Sequence, residues 1–121
     1  MTFDYFNLKD PKHTFVIAEA GSNWKCGTFE QDLEQAKKLI KIAAKAKADA
    51  VKFQTYTAEK LTTKTAKKYW DDGISGETQY DVFKKLDRLA NSDWKEIFEY
   101  AKNKITCFST PFDYESVDLL Y

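Results

Sequence analysis

Apolar and polar residues follow two rhythms along this chain. From Phe29 the apolar positions step by four, three, four and three through Leu33, Ala36, Ile40 and Ala43, which marks one face of a helix. Leu39 and Ile42 widen the stripe, and Lys37, Lys38, Lys41 and Lys45 occupy the opposite side. Thr28 followed three residues later by Gln31 is a capping-box pattern, so a helix is predicted from Thr28 to about Lys47. The other rhythm has period two. Ala48 to Tyr56 is β-prone and puts Lys52 and Gln54 on one face, with Val51 and Phe53 on the other. Thr14 to Ala20 reads as an apolar strand interrupted by Glu19, the kind found in a sheet covered on both faces. A third strand is expected from Ile105 to Thr110, stopped by Pro111.

Between the second and third strands lies a polar stretch, 57–77, in which Gly73, Ser75 and Gly76 mark loop. Unstructured connections of that length are usually functional or partly helical. Thr78 then begins a helix with Val82, Phe83, Leu86 and Leu89 inward. Asn91-Ser92 is expected to break it, Ser92 to cap a helix bearing Trp94, Ile97, Phe98 and Ala101, and Asn103 to end that helix left-handed. Asp113 opens a final helix. Strands separated by helices imply parallel pairing through right-handed crossovers, hence an α/β fold occupying 1–121 as one unit. Two architectures fit: the first three βα units of a (β/α)8 barrel in strand order 1-2-3, or a flavodoxin-like sheet with the first strand in the middle.

Composition narrows the function. The 121 residues carry 19 basic and 19 acidic side chains, which argues against nucleic acid or an anionic membrane surface as partner. The balance hides a modest split, with thirteen Lys/Arg against eight Asp/Glu in 1–70 and six against eleven beyond. Residues 1–13 form a polar and aromatic lead-in without an apolar signal core, and no apolar run is long enough to span a bilayer, so a cytoplasmic protein is expected. Cys26 and Cys107 are too far apart for a zinc or redox motif and read as free thiols. His13 precedes the first strand and reads as a surface residue on the opposite rim.

The candidate chemistry collects where the strands end: Glu19, then Lys52 and Gln54, then Ser109 and Thr110. Either architecture binds ligands outside the carboxyl ends of its strands. A lysine, an amide and two hydroxyls with one carboxylate suit an anionic, oxygen-rich substrate. A Glu19–Lys52 salt bridge without any ligand, and hydroxyls that satisfy only local backbone groups, are the structural alternatives. Gly21 to Gly27 has no G-x-G-x-x-G spacing, which argues against a nucleotide.

Four blocks then carry a resemblance: I-A-E-A-G-S-N at 17–23, A-D-A-V-K-F-Q-T-Y at 48–56, E-T-Q-Y at 77–80 and F-S-T-P-F-D at 108–113. In order and spacing the chain resembles the N-acetylneuraminate (sialic acid) synthase family from about residue 14 onward. The resemblance implies condensation of phosphoenolpyruvate with N-acetylmannosamine or a related amino sugar on a (β/α)-barrel, with a divalent metal, Mn or Mg, whose ligands lie outside this chain. It implies that Glu19 acts on the sugar and the reacting centre. Lys52 and Thr110 would hold phosphoenolpyruvate, with Gln54 lining the pocket between and Ser109 and Asn23 nearby. A homo-oligomer is expected, and Met1 with its lead-in suggests a true start with the remainder C-terminal. Alone, three strands of a barrel should be inactive. A non-catalytic fragment or split subunit and another phosphoenolpyruvate-using barrel synthase remain alternatives. Two departures from the family pattern stand out: Trp24 follows Asn23 in the first loop, which bears on sugar specificity, and Lys47 stands where a glycine usually ends the first helix.

Overall fold

A computed structural model describes residues 11–121 except Cys26 and Arg88, so the lead-in before Pro11 and the Cys26 thiol lie outside the described residues. Three strands, β1 (Ile17–Gly21), β2 (Ala50–Thr55) and β3 (Thr106–Pro111), form one parallel sheet in the order β1-β2-β3. That is the order expected of consecutive barrel units, and it rules out the flavodoxin-like arrangement with β1 in the middle. Five helices complete the described chain: α1 (Phe29–Lys45), α2 (Ala58–Leu61), α3 (Gln79–Leu86), α4 (Asn91–Ala101) and α5 (Tyr114–Leu120).

Helix α1 starts where its capping box predicts. The Thr28 N–H donates to Gln31 Oε1 at 2.8 Å, and the Gln31 N–H donates back to Thr28 Oγ1 at 3.4 Å. It ends in a Schellman turn: the Lys47 N–H reaches the Ala44 carbonyl (3.0 Å) and the Ala48 N–H reaches Ala43 (3.1 Å). Lys47 itself adopts φ +61°, the left-handed conformation a glycine would take without strain. The turn delivers the chain directly into β2.

Ala36, Ile40 and Ala43 of α1 and Trp94, Ile97 and Ala101 of α4 bury themselves against Val51, Phe53 and Cys107 of the sheet. Phe53 sits at the centre, edge-on to Trp24 (centroids 5.4 Å) and to Trp94 (6.1 Å). Burial pushes the free Cys107 thiol up to about 12, so it stays protonated as a small core residue.

Several expectations are corrected. β1 is shorter than predicted and not covered on both faces: it is an edge strand, and Ile17 is 46% exposed. Phe29 and Ile42 point away from the core of α1's apolar stripe and are exposed. Ser92 is no cap: α4 starts at Asn91, two residues before a Ser92 cap would start it, and the Asp93 carboxylate accepts from the N–H of Ala90, the residue in the capping position. Asn103 does not turn left-handed, because among the described residues Lys47 is the one non-glycine with positive φ. The chain after α4 closes instead through Lys104 and Ile105 N–H groups on the Ala101 carbonyl. The stretch 57–77 is partly ordered, by α2 and by an antiparallel bridge between Lys67 and Thr78. Among the described residues, no helix is long and apolar enough to cross a membrane.

Candidate functional site

Strand alternation divides the sheet residues between two faces. Val51, Phe53 and Cys107 look into the helices, so their neighbours look the other way: Glu19 on β1, Lys52 and Gln54 on β2, Phe108 and Thr110 on β3. Register brings these together in rows. Glu19 lies beside Lys52 and Lys52 beside Phe108, while Gln54 lies beside Thr110. Lys52 is at mid-strand rather than at the end, whereas Gln54 and Thr110 are near the carboxyl edge.

The Lys52 ammonium is 2.7 Å from Glu19 Oε2, with side chains 27% and 49% exposed. The pair is therefore partly open to solvent, on a face that none of the described helices covers. An ion pair in that setting is worth little in stability by itself, because water screens it. What it does is hold a carboxylate and an ammonium at a fixed place on the sheet.

The register of β1 slips between Glu19 and Gly21, and Gly21 takes φ +68°. This bulge turns the chain off the sheet edge just after Glu19 and carries Ser22 and Asn23 over the carboxyl end. Asn23 is exposed there. Trp24, the departure in this loop, faces the core: it is 7% exposed and packs edge-on with Phe53.

Ser109 is likewise separated from the others. It is buried, and its hydroxyl is 2.6 Å from Thr55 Oγ1, closing a two-hydroxyl pair between β2 and β3. Ser109 and Thr110 are adjacent, so alternation sends them to opposite faces.

Beyond Gln54 the carboxyl edge opens into a pocket of about 470 Å³ lined by Ser22, Gln54, Tyr56, Leu61, Tyr69, Gln79, Phe83 and Phe112. The position of Gln79 is set by its Nε2, which donates to the Lys67 carbonyl at 2.7 Å. Tyr56 packs edge-on against Phe83 (5.6 Å) and Phe112 (6.3 Å). Burial pushes the Tyr56 phenol up to about 12, helped by the nearby Asp87 charge and opposed by Ser22, which makes no hydrogen bond of ordinary geometry to it. Tyr80 of the E-T-Q-Y block donates to Glu59 at 2.9 Å and Lys84 meets the same carboxylate, tying α2 to α3 behind the pocket.

Sequence reasoning missed three contributors. Tyr69, Phe83 and Phe112 read as loop or core aromatics, and nothing in their spacing shows that they share a pocket wall. Asp32 lies in the first turn of α1, where an acid suits the helix dipole. It is in fact fully buried and accepts from the Gly27 N–H at 3.3 Å, anchoring the loop that follows β1. His13 is exposed, as expected, but is held by Asp49, 2.8 Å away, which also accepts from the Val16 N–H. Those two contacts lower the Asp49 carboxyl below its usual range. Among the described residues no three His, Cys, Asp or Glu side chains gather as a metal-ligand set.

The model of the NeuB family matches residues 39–121. The N,N'-diacetyllegionaminic acid synthase of Campylobacter jejuni is 43% identical over 113 residues, which span 90% of this chain and 32% of that protein. Pseudaminic acid synthase of the same organism is 40% identical over 121 residues, 94% of this chain and 33% of the enzyme. A crystal structure of N-acetylneuraminic acid (sialic acid) synthetase from Leptospira borgpetersenii, in complex with citrate, superposes with a TM-score of 0.61 at 30% identity. That match covers 88% of this chain and 32% of the synthetase. The chain thus spans about a third of the length of the relatives it matches.

Proposed function

Since the chain belongs to the NeuB family, we propose that the protein carrying it condenses phosphoenolpyruvate with an N-acylated amino sugar such as N-acetylmannosamine to form a nonulosonate. In that reaction the methylene carbon of phosphoenolpyruvate joins the carbonyl carbon of the sugar, whose oxygen takes up a proton, while water adds to the carbon bearing the phosphate, which leaves as inorganic phosphate. The observation that carries the reading is the Lys52–Glu19 pair on the uncovered face of the sheet, one row from Gln54 and Thr110.

Each group has a task that follows from its chemistry. Lys52 supplies positive charge to the phosphate or carboxylate of phosphoenolpyruvate, at a point charge with three donors. Thr110 adds a hydroxyl at the carboxyl edge. Gln54, its neighbour in register, offers both a donor and an acceptor toward the sugar. Glu19, held 2.7 Å from the Lys52 ammonium, accepts from a sugar hydroxyl and is placed to handle a proton at the reacting centre. Asn23 extends the polar rim. Ser109 is left out, because it is committed to Thr55.

In this reading the three-stranded sheet is part of a (β/α)8 barrel, with the uncovered face as barrel interior and further strands pairing with the outer edges of β1 and β3. The divalent metal, Mn or Mg, would supply electrophilic assistance. The described residues gather no donor set for it, so no step of this chain's residues is routed through it. A homo-oligomer acting in the cytoplasm completes the proposal.

The test is phosphate release by the protein carrying this sequence, with phosphoenolpyruvate, N-acetylmannosamine and manganese, for the unmodified protein and for Lys52→Ala. A charge-assisted contact is worth about 1.5–3 kcal/mol, so Lys52→Ala should raise the KM for phosphoenolpyruvate roughly ten- to a hundredfold with the fold intact. Unchanged phosphoenolpyruvate kinetics would make the Lys52–Glu19 pair a purely structural salt bridge.

A further inference from the structure

Tyr69 is out of keeping with its surroundings. The connection from α2 to α3 is tied down by polar contacts. Lys68, its side chain 8% exposed, donates to Asp72 at 2.5 Å and to the Ile74 carbonyl at 2.9 Å, and lies 3.7 Å from Glu77. Asp72 also accepts from Trp70 Nε1 at 3.2 Å and from the Ile74 N–H at 3.2 Å. The Lys68 hydrogen bond, with these others, holds the Asp72 carboxyl down at about 2. Lys85 adds a second partner for Glu77, and the Lys67–Thr78 bridge closes the base of the connection. Trp70 is thereby fixed against Phe83, with centroids 6.1 Å apart.

This order holds an aromatic side chain out in solvent. Tyr69 is 85% exposed, is buttressed edge-on by Trp70 at 4.8 Å, and lines the same pocket as Gln54 and Gln79. Folding does not place an aromatic ring there to bury it, because it is not buried. A braced, open aromatic face beside two amides is the arrangement that takes a flat C–H face of a sugar, with the ring under the carbons and the amides on the hydroxyl or acylamino groups.

We propose that Tyr69 is a binding platform for the amino-sugar substrate, stacking under its apolar face and contributing to the choice of sugar. This inference rests on the proposed function, since it assigns the 470 Å³ pocket to the sugar rather than to phosphoenolpyruvate. It adds a residue from the connection after α2 to a pocket otherwise lined from the sheet edge and from α2 and α3. Preorganisation is what makes the contact effective: the loop is already ordered, so little freedom is lost when the sugar arrives.

The experiment compares Tyr69→Ala, Tyr69→Phe and Tyr69→Trp in the protein carrying this sequence. Two readouts are needed: synthase kinetics, and saturation-transfer NMR with N-acetylmannosamine, which needs no turnover. Loss of one stacking contact should raise the sugar KM about five- to tenfold in Tyr69→Ala, with recovery in the Phe and Trp variants and no change in the phosphoenolpyruvate KM. Thermal stability should stay unchanged in all three, because the ring is exposed. The proposal is overturned if Tyr69→Ala leaves the sugar KM unchanged, if Tyr69→Phe loses as much as Tyr69→Ala, or if both substrates weaken together. Absence of sugar binding by the unmodified protein overturns it too. Product formation with a sugar KM indifferent to Tyr69 removes this inference and keeps the reaction. Ring-dependent sugar binding without any nonulosonate product does the reverse.

Discussion

Replacing Lys47 by glycine should stabilise the protein relative to replacing it by alanine, and the margin can be worked from the α1 terminus. The residue holds φ +61° between two Schellman hydrogen bonds of 3.0 and 3.1 Å, so the conformation is dictated by its neighbours. A side chain with a Cβ in that conformation costs about 1–2 kcal/mol, which glycine avoids. Against this, glycine has more freedom to lose from the unfolded chain, about 0.4–1 kcal/mol. The difference leaves Lys47→Gly more stable than Lys47→Ala by roughly 0.5–1 kcal/mol. Comparison with alanine rather than lysine matters, because both variants lose the lysine's favourable interaction with the helix C-terminus. Urea unfolding followed by circular dichroism reads the margin as a shift in midpoint at constant m-value. An alanine variant equal to or more stable than the glycine variant would show that the positive φ is not under strain, and the reasoning would be refuted. Because the turn leads straight into β2, neither change should move the KM for phosphoenolpyruvate.

Two further outcomes are expected. Ser109→Ala strands the buried Thr55 hydroxyl and should cost about 1–3 kcal/mol in denaturant unfolding, most of it recovered by adding Thr55→Val, with substrate KM values unchanged; a rise in KM without loss of stability would return Ser109 to the binding site. Glu59 is held down at about 2, first by the Lys84 hydrogen bond, then by its own backbone N–H and Tyr80. Its folded value is depressed, so its contribution is present above the unfolded value of about 4.3 and is lost as pH falls toward 2. Glu59→Gln should therefore flatten the stability–pH profile across that window, and parallel profiles for the two proteins would contradict it.

Much of the architecture was legible because it rests on periodicity. The α1 stripe, the three strands and the capping residues Thr28, Thr78 and Asp113 are all local patterns, and the structure keeps them. Lys52 and Gln54 on one face of β2 followed from alternation alone. The same rule, applied to Ser109 and Thr110, separates them, and that separation was readable in the sequence. Exposure was less legible: Ile17, Phe29 and Ile42 are apolar by type, but which of them the sheet and helices cover depends on neighbours far along the chain. Ser92 has a good capping side chain, yet Asp93 decides the helix start from three positions beyond Ala90. Tyr69 was invisible as a site residue because its significance lies in being braced and uncovered, which no spacing records.

The division of β2 into two faces bears on how sequences like this one can change. Along β2, Lys52 and Gln54 face away from the helices and Val51 and Phe53 face the core, so point substitutions at Lys52 or Gln54 leave the packing around Phe53 untouched, and the converse holds. Substitutions on the two faces then act independently, with little cross-talk between sites that share no partners. Insertion or deletion of a single residue in the strand does the opposite. It exchanges the two sets at a stroke, sending Lys52 into the tryptophans and Phe53 into solvent. Substitutions on one face can thus be made without disturbing the other, while the length between Ala50 and Thr55 stays fixed.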